Sequence, residues 1–159
     1  FAFNRTLIPH VDIPNSVIEI GVAAFQGCGL LSNVTLPDGI KTIKKNTFYG
    51  TGIEDIVIPD SVTEIEERAF DDSDLISIVL SSNLVKIGDF AFSGTNIETI
   101  EIPESVKSIG AHAFYGSQLK EIDILGDPEI DETAFAFTPY EDEMLSEWNE
   151  DEEPEEYNR

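Results

Sequence analysis

Carboxylates are the most abundant reactive side chains of this 159-residue sequence, with 32 acidic residues against 9 basic ones and a net charge of −23. Such a charge repels phosphate groups, so nucleic acids and anionic membranes are unfavourable partners, whereas basic proteins and peptides are favoured. High solubility or a salty habitat would explain the same charge without any partner. The composition therefore indicates that a partner would be positively charged, and it does not indicate where such a partner binds.

Catalytic groups in a recognised sequence context are missing. The two histidines, His10 and His112, are not accompanied by a nucleophile motif, and the sequence has no phosphate-binding glycine loop, zinc-ligand cluster or dinucleotide fingerprint. His112 is interpreted as a surface residue. The single cysteine, Cys28, has no neighbouring His or Lys to activate it, so we interpret it as a small buried side chain. We expect a protein that is not an enzyme and takes no cofactor.

One short acidic run, Asp71-Asp72-Ser73-Asp74, is a candidate for binding calcium. Calcium requires several oxygen ligands at set spacing and usually a glycine in the loop. The run matches neither an EF-hand nor a calcium-binding nonapeptide repeat, so an exposed acidic turn is favoured and no metal ligand is assigned. A calcium-dependent surface protein remains an alternative function, which thermal melts with calcium and with a chelator would test because specific binding raises the midpoint.

The elements that would position any site come from a repeat of 21 to 23 residues. Its clearest mark is a column of phenylalanines: Phe3, Phe25, Phe48, Phe70, Phe92, Phe114 and Phe135. Alanine precedes the Phe in six of the seven copies, and a Thr, Ser or Cys follows three residues after it. Apolar triplets at spacings of 3 and 2, such as Ile53, Ile56 and Ile58, come next and are mostly followed by proline.

Each repeat predicts one short strand, because its I-x-I ending has the period of 2 that puts both side chains on one face. A single such unit cannot bury its apolar face, whereas stacked units form a parallel sheet with strands about 4.8 Å apart. The phenylalanines are then predicted to form a stack of rings in the core. The Thr, Ser and Cys column is predicted to bond backbone groups in tight turns, with Cys28 as one member.

The consensus I-P-x-S-V-x-x-I-x-x-x-A-F-x-G-(T/S/C)-x-L-x-x-I-x-I, which covers residues 2–140, resembles the BspA-type (Treponema pallidum-like) leucine-rich repeat. The resemblance implies an α/β repeat solenoid: a right-handed superhelix of about six 22-residue coils, with a parallel sheet on one face and short helical or irregular segments on the other. It also implies a cell-surface or secreted protein used in adhesion or protein binding.

Three segments are predicted: a repeat array over 1–138, a capping helix over 139–149 and a disordered acidic tail over 150–159. Thr138-Pro139-Tyr140-Glu141 is a capping-box pattern with proline at the first helical position. Tyr140, Met144 and Trp148 form an apolar stripe that would cover the end of the core, although a partner-binding helix that exposes Trp148 is an alternative. The array begins inside a repeat, so we expect a fragment of a longer chain.

The outward side chains of the predicted strands are the candidate binding residues. They are Asp55, Val57, Ser77, Val79, Thr99, Glu101, Glu121 and Asp123. Val57 and Val79 expose isopropyl groups, and Glu101 lies beside Asp123, a like-charge pairing that destabilises a ladder unless something offsets it. We predict a partner that presents Lys or Arg beside an apolar side chain, against the alternative of a merely solvated face. A rival function is a rigid spacer or accessory subunit, docked in a larger assembly through its uncovered N-terminal end.

Overall fold

The computed structural model describes residues 2–141 and 143, and these residues form a stack of parallel coils. Its strands are β1 (His10–Asp12), β2 (Asn33–Thr35), β3 (Thr42–Ile43), β4 (Asp55–Val57), β5 (Glu64–Ile65), β6 (Ser77–Val79), β7 (Lys86–Ile87), β8 (Thr99–Ile102), β9 (Ser108–Ile109), β10 (Glu121–Ile124) and β11 (Glu129–Ile130). Every registered strand pair is parallel and joins one coil to the next. This confirms a parallel-sheet solenoid of about six coils.

The first sheet consists of the I-x-I strands. β1 pairs with β2, β4 with β6, and β8 with β10, while β2 lies beside β4 and β6 beside β8 without a registered ladder. Isoleucines and valines between exposed residues, such as Ile56 and Ile78, point into the core from this sheet. The period-2 reading of these segments is therefore confirmed.

A second sheet of five two-residue strands occupies the opposite face, in the order β11-β9-β7-β5-β3. The short helical segments implied for this face are not confirmed, because among the described residues only 139–141 and 143 are α-helical. A physical reason lies in the coil itself: Arg68, two residues before Phe70, has a φ of 57°, a left-handed conformation that interrupts a right-handed helix. The rest of the predicted helix 139–149 and the tail 150–159 lie outside the described residues.

The predicted phenylalanine stack is confirmed. Consecutive rings from Phe3 to Phe135 are stacked with centroids 5.3–5.6 Å apart. Phe48, Phe70, Phe92 and Phe114 are fully buried. At one end Phe3 is 43% exposed, and at the other the ring of Tyr140 packs edge-on against Phe135 at 5.4 Å. The core is thus a continuous column whose middle members have rings on both sides.

The small hydroxyl column also behaves as predicted. Thr51, Ser73 and Thr95 are buried, and each donates a hydrogen bond of 2.7–2.9 Å to the carbonyl oxygen of the Phe three residues earlier. Cys28 is fully buried, and its thiol donates to the Phe3 carbonyl of the preceding coil at 2.9 Å. Ser117 is an exception, since its buried Oγ has no hydrogen-bond partner among the described residues.

A third row of inter-coil hydrogen bonds follows the phenylalanines and was not predicted. The Phe48 N–H donates to the Ala69 carbonyl at 2.8 Å, and the Phe70 N–H donates to the Ala91 carbonyl at 2.9 Å. The residue two before the Phe is left-handed in most coils, including Arg68 and Phe90 with φ of 57° and 55°. Three hydrogen-bonded rows therefore fix each coil against its neighbours.

Candidate partner-binding face

The outward side chains of the six first-sheet strands form one surface, here called the first-sheet face. Its members are His10, Asp12, Asn33, Thr35, Asp55, Val57, Ser77, Val79, Thr99, Glu101, Glu121 and Asp123, and all are exposed. The eight residues predicted from the sequence are all among them, because strand alternation decides their direction. The structure thus places them together, and their role in binding stays a prediction.

The strand register places side chains of the same kind opposite each other. Val57 lies opposite Val79, and Glu101 lies opposite Asp123, as the sequence indicated. Of the twelve outward residues, five are acidic and none is lysine or arginine, so no cation on the face itself offsets the carboxylates. Like charges that face each other across a ladder cost stability, and a cation from another molecule would relieve that cost.

Most of the basic residues lie instead on the side of the second sheet, where they form ion pairs. Lys44 Nζ is 2.7 Å from Glu19 Oε1, and this contact holds the pKa of Glu19 below its usual value. Lys86 Nζ is 3.0 Å from Glu64 Oε1, and the hydrogen bond and charge of Glu64 raise the pKa of Lys86. The outward residues of the two sheets therefore differ: Lys86 is paired with Glu64 on the second sheet, whereas the outward carboxylates of the first sheet have no lysine or arginine among them. An ion pair between Lys120 and Glu98, at 2.8 Å, lies one residue before β10 and β8.

Two open depressions indent the first-sheet face and meet at Ser77. One, of about 450 Å³, lies over β2, β4 and β6 and includes Val57 and Val79. The other, of about 460 Å³, lies over β6, β8 and β10 and includes Glu101, Glu121 and Asp123. We call the joined depressions the trough; its valine half carries the exposed valine pair beside Asp38 and Asp55, and its acidic half carries Glu101, Glu121 and Asp123.

Sequence reasoning missed one apolar member of this surface. Ile76, immediately before β6, is 52% exposed and lines the acidic half of the trough. The equivalent residues of the neighbouring repeats are Glu54 and Glu98. The same column also contains Pro9, Ser32 and Lys120, so an exposed isoleucine in a mostly polar column was the available signal.

The acidic run Asp71–Asp74 does not converge on one point. Asp71 is buried with Oδ2 3.6 Å from Arg68 Nη1, whereas the Asp72 carboxylate accepts a hydrogen bond from the Tyr49 hydroxyl at 3.1 Å. Ser73 bonds the Phe70 carbonyl, so its hydroxyl is used within the coil. Among the described residues, no group of three His, Cys, Asp or Glu side chains could hold a metal ion.

Burial raises the pKa of Asp71, although hydrogen bonding to Ser93 and the charge of Arg68 act in the opposite direction. A raised pKa means that the folded state holds the proton more tightly than the unfolded state, so this carboxyl opposes folding at neutral pH and less so as the pH falls through the folded pKa. We expect Asp71→Asn to raise the urea midpoint at pH 7 and to lose that advantage in acid. The exposed Asp74→Asn is the control, and a gain that grows in acid would contradict the expectation.

The histidines do not form a catalytic arrangement. His10 is exposed on β1, while His112 is only half-buried: its ring lies 4.8 Å from Phe90 and 5.3 Å from Tyr115. Its Nδ1 is buried without a hydrogen-bond partner among the described residues. His112 is therefore only partly a surface residue, in contrast to the interpretation from the sequence. Within the described part of the chain, no helix is long and apolar enough to cross a bilayer.

A stack of short parallel strands with one aromatic rung per coil is a β-solenoid of the leucine-rich-repeat class. The family model for the BspA type leucine rich repeat region matches six copies over residues 1–120. The chain belongs to this family, which confirms the resemblance seen in the sequence. Leucine-rich repeat domains generally bind proteins, so membership indicates a protein-interaction module, and BspA-type members are often surface-associated.

Among solved structures, a leucine-rich repeat protein from Bacteroides ovatus ATCC 8483 is similar to this chain, with 18% sequence identity and a TM-score of 0.32. The match covers 82% of this chain and 64% of that one. A search of curated proteins finds no match.

Proposed function

We propose that this chain is a non-catalytic protein-binding or adhesion module of a surface or secreted protein, and that it binds a basic partner on the first-sheet face. The observation that carries the proposal is the charge distribution: twelve outward residues with five carboxylates and no lysine or arginine. Family membership supports the general role of protein binding. The site residues are the eight predicted from the sequence, together with Ile76.

Both kinds of contact that such a partner needs are present on the face. The Glu101–Asp123 pair would take a Lys or Arg side chain through charge-assisted hydrogen bonds, which are stronger than neutral ones. Val57 is 66% exposed and Val79 is 57% exposed, and together they present an apolar surface in register. An apolar group beside fixed charges of one sign supports recognition, since the first contributes burial and the second selects the partner.

The scaffold assumed here is a right-handed array over 1–138, followed by the capping helix 139–149 and the acidic tail 150–159. Contacts at the start of the helix support the cap. The Glu141 N–H donates to the Thr138 hydroxyl at 3.1 Å, and the Phe137 N–H donates to Glu141 Oε2 at 2.7 Å. Tyr140 packs on the last phenylalanine of the stack, where a cover for the core is needed.

A second candidate is a rigid spacer or accessory subunit that docks through its N-terminal end. In the first coil of the described residues Phe3 is 43% exposed and Leu7 is 78% exposed. Contacts of a spacer would map to the ends, whereas contacts of a recognition module would map to the first-sheet face. The calcium-dependent alternative has no comparable support among the described residues, and melts with calcium and with a chelator test it directly.

The test of the proposal is selection of a random-peptide display library on the immobilised full chain. We expect the enriched peptides to be basic, and the double variant Glu101→Lys, Asp123→Lys to bind them at least about tenfold more weakly, the loss expected when charge pairs become repulsive. The matched control is Asp127→Lys, Glu132→Lys, which makes the same change in net charge at exposed residues outside the face. Equal losses in both variants, or enriched peptides indifferent to both, would refute the first-sheet face as the site.

A further inference from the structure

The order of apolar and acidic side chains along the trough constrains the conformation of the partner. Val57 and Val79 lie on β4 and β6, and Glu101 and Asp123 lie on β8 and β10, the next two strands of the stack. An apolar pair is thus followed, along the solenoid axis, by an acidic pair. A segment lying along this axis would meet the first pair with an aliphatic side chain and the second with a cationic one.

The distance between the two pairs sets the spacing of those side chains. The centre of the valine pair and the centre of the acidic pair are two strand spacings apart, which is about 10 Å. In an extended strand, side chains i+2 and i+4 share the side of residue i, at about 6.7 Å and about 13 Å, and neither distance matches. Residue i+3, at about 10 Å, points to the opposite side. A polyproline II segment repeats every three residues with a rise of about 3.1 Å each, so side chains i and i+3 share one side at about 9.3 Å.

An α-helix also puts two side chains at a suitable distance, because residues i and i+7 lie about 10.5 Å apart on one side. The row of outward residues beside the two pairs favours the polyproline II form. Ser77 and Thr99, two residues before Val79 and Glu101 on β6 and β8, are exposed and line the trough next to the line that joins the pairs. A helix has its backbone groups bonded internally, whereas a polyproline II segment has free carbonyl and N–H groups that these hydroxyls can bond.

We propose that the partner element is a polyproline II segment lying along the trough, with an aliphatic residue at position i over Val57 and Val79 and Lys or Arg at position i+3 between Glu101 and Asp123. This inference rests on the proposed function and adds to it the conformation and side-chain spacing of the ligand. It predicts that the spacing of the two side chains decides affinity even when composition and charge stay constant.

The test uses fluorescently labelled peptides and the full chain, measured by fluorescence anisotropy at low salt. The first probe is Pro-Leu-Pro-Pro-Arg-Pro, and its control is the permutation Pro-Leu-Arg-Pro-Pro-Pro, which has the same composition and charge. A third, helix-forming probe carries Leu and Arg seven residues apart. We expect the first probe to bind at least about tenfold more tightly than either of the others, since correct spacing and a preformed conformation both lower the cost of binding.

Two double variants test which half of the trough contacts the leucine and which contacts the arginine of the probe. Val57→Ser, Val79→Ser should abolish the preference for the first probe over its Leu→Ala analogue. Glu101→Gln, Asp123→Asn should abolish the preference over its Arg→Gln analogue. All four residues are exposed, so these changes leave the core unaltered.

The outcomes separate the two proposals. Equal binding of the permuted peptide, tighter binding of the helical probe or no binding of the first probe would overturn the polyproline II inference. The proposed function would nevertheless stand if display-selected peptides of another pattern bound in a way that depended on Glu101 and Asp123. If neither these probes nor the selected peptides depended on the face, both proposals would be refuted.

Discussion

Replacing Phe70 by alanine is expected to lower the free energy of unfolding by about 3–5 kcal/mol, the usual loss for a buried phenylalanine. The ring is fully buried between Phe48 at 5.3 Å and Phe92 at 5.6 Å, so its removal takes contacts from two neighbours. The cavity cannot close easily, because backbone hydrogen bonds hold the coils on either side: the Phe48 N–H donates to Ala69 and the Phe70 N–H donates to Ala91.

Urea unfolding monitored by circular dichroism measures this loss. The control is Phe3→Ala, where the ring is 43% exposed and, among the described residues, stacks on one phenylalanine, Phe25. We expect it to cost less than about half as much, because less apolar area leaves the core. Equal losses at the two sites, or a loss below about 1 kcal/mol at Phe70, would contradict a core organised around the aromatic stack.

Replacing Gly88 by alanine is expected to cost about 1–3 kcal/mol, the usual penalty for adding an atom to a packed interior. A Cβ at this position would lie 2.8 Å from the Glu66 carbonyl carbon, 2.8 Å from the Glu67 nitrogen and 3.0 Å from the Ile65 oxygen. These are backbone atoms of the preceding coil, and they cannot rotate away as a side chain could. The Gly88 N–H also donates to the Ile65 carbonyl at 2.8 Å, so moving apart would break an inter-coil bond.

Gly29 is the control, because the preceding coil is present beside it, with Leu7 at the equivalent position of the repeat. A Cβ there meets no atom within 4 Å, and the residue is exposed. We expect Gly29→Ala to be neutral or to stabilise by up to about 1 kcal/mol, because alanine restricts the unfolded chain. Thermal and urea unfolding of the two variants give the comparison, and equal tolerance of alanine at both sites would refute a close approach of the coils at Gly88.

The stability tests and the binding tests act on separate parts of the molecule. Phe70 and Gly88 are buried, whereas Val57, Val79, Glu101 and Asp123 point outward from the same framework. Surface changes away from special features usually alter stability by less than about 0.5 kcal/mol. Neutralising the two opposed carboxylates in Glu101→Gln, Asp123→Asn is expected to leave stability unchanged or to raise it slightly, so a loss of binding in that variant would report on the face.

Much of this structure could be predicted from the sequence because the sequence repeats. A 22-residue period means that each residue lies beside its equivalents in the neighbouring coils, so columns in the sequence become contacts in space. The aromatic stack, the burial of Cys28, the Ser and Thr turn bonds and the outward columns with Glu101 opposite Asp123 could all be predicted in this way. Each depends only on the period and on strand alternation.

Other features depend on which side chains neighbouring coils happen to carry, and only the tertiary structure decided them. The second sheet replaced the implied helical segments because left-handed residues such as Arg68 and Phe90, whose types do not signal that conformation, turn every coil. Gly29 and Gly52 share a repeat position, yet a Cβ added at Gly52 would meet the backbone of the preceding coil, at 2.5 Å from the Gly29 oxygen, whereas one added at Gly29 meets no atom within 4 Å. The two depressions over the first sheet, and the place of Ile76 in one of them, were likewise seen only in the structure.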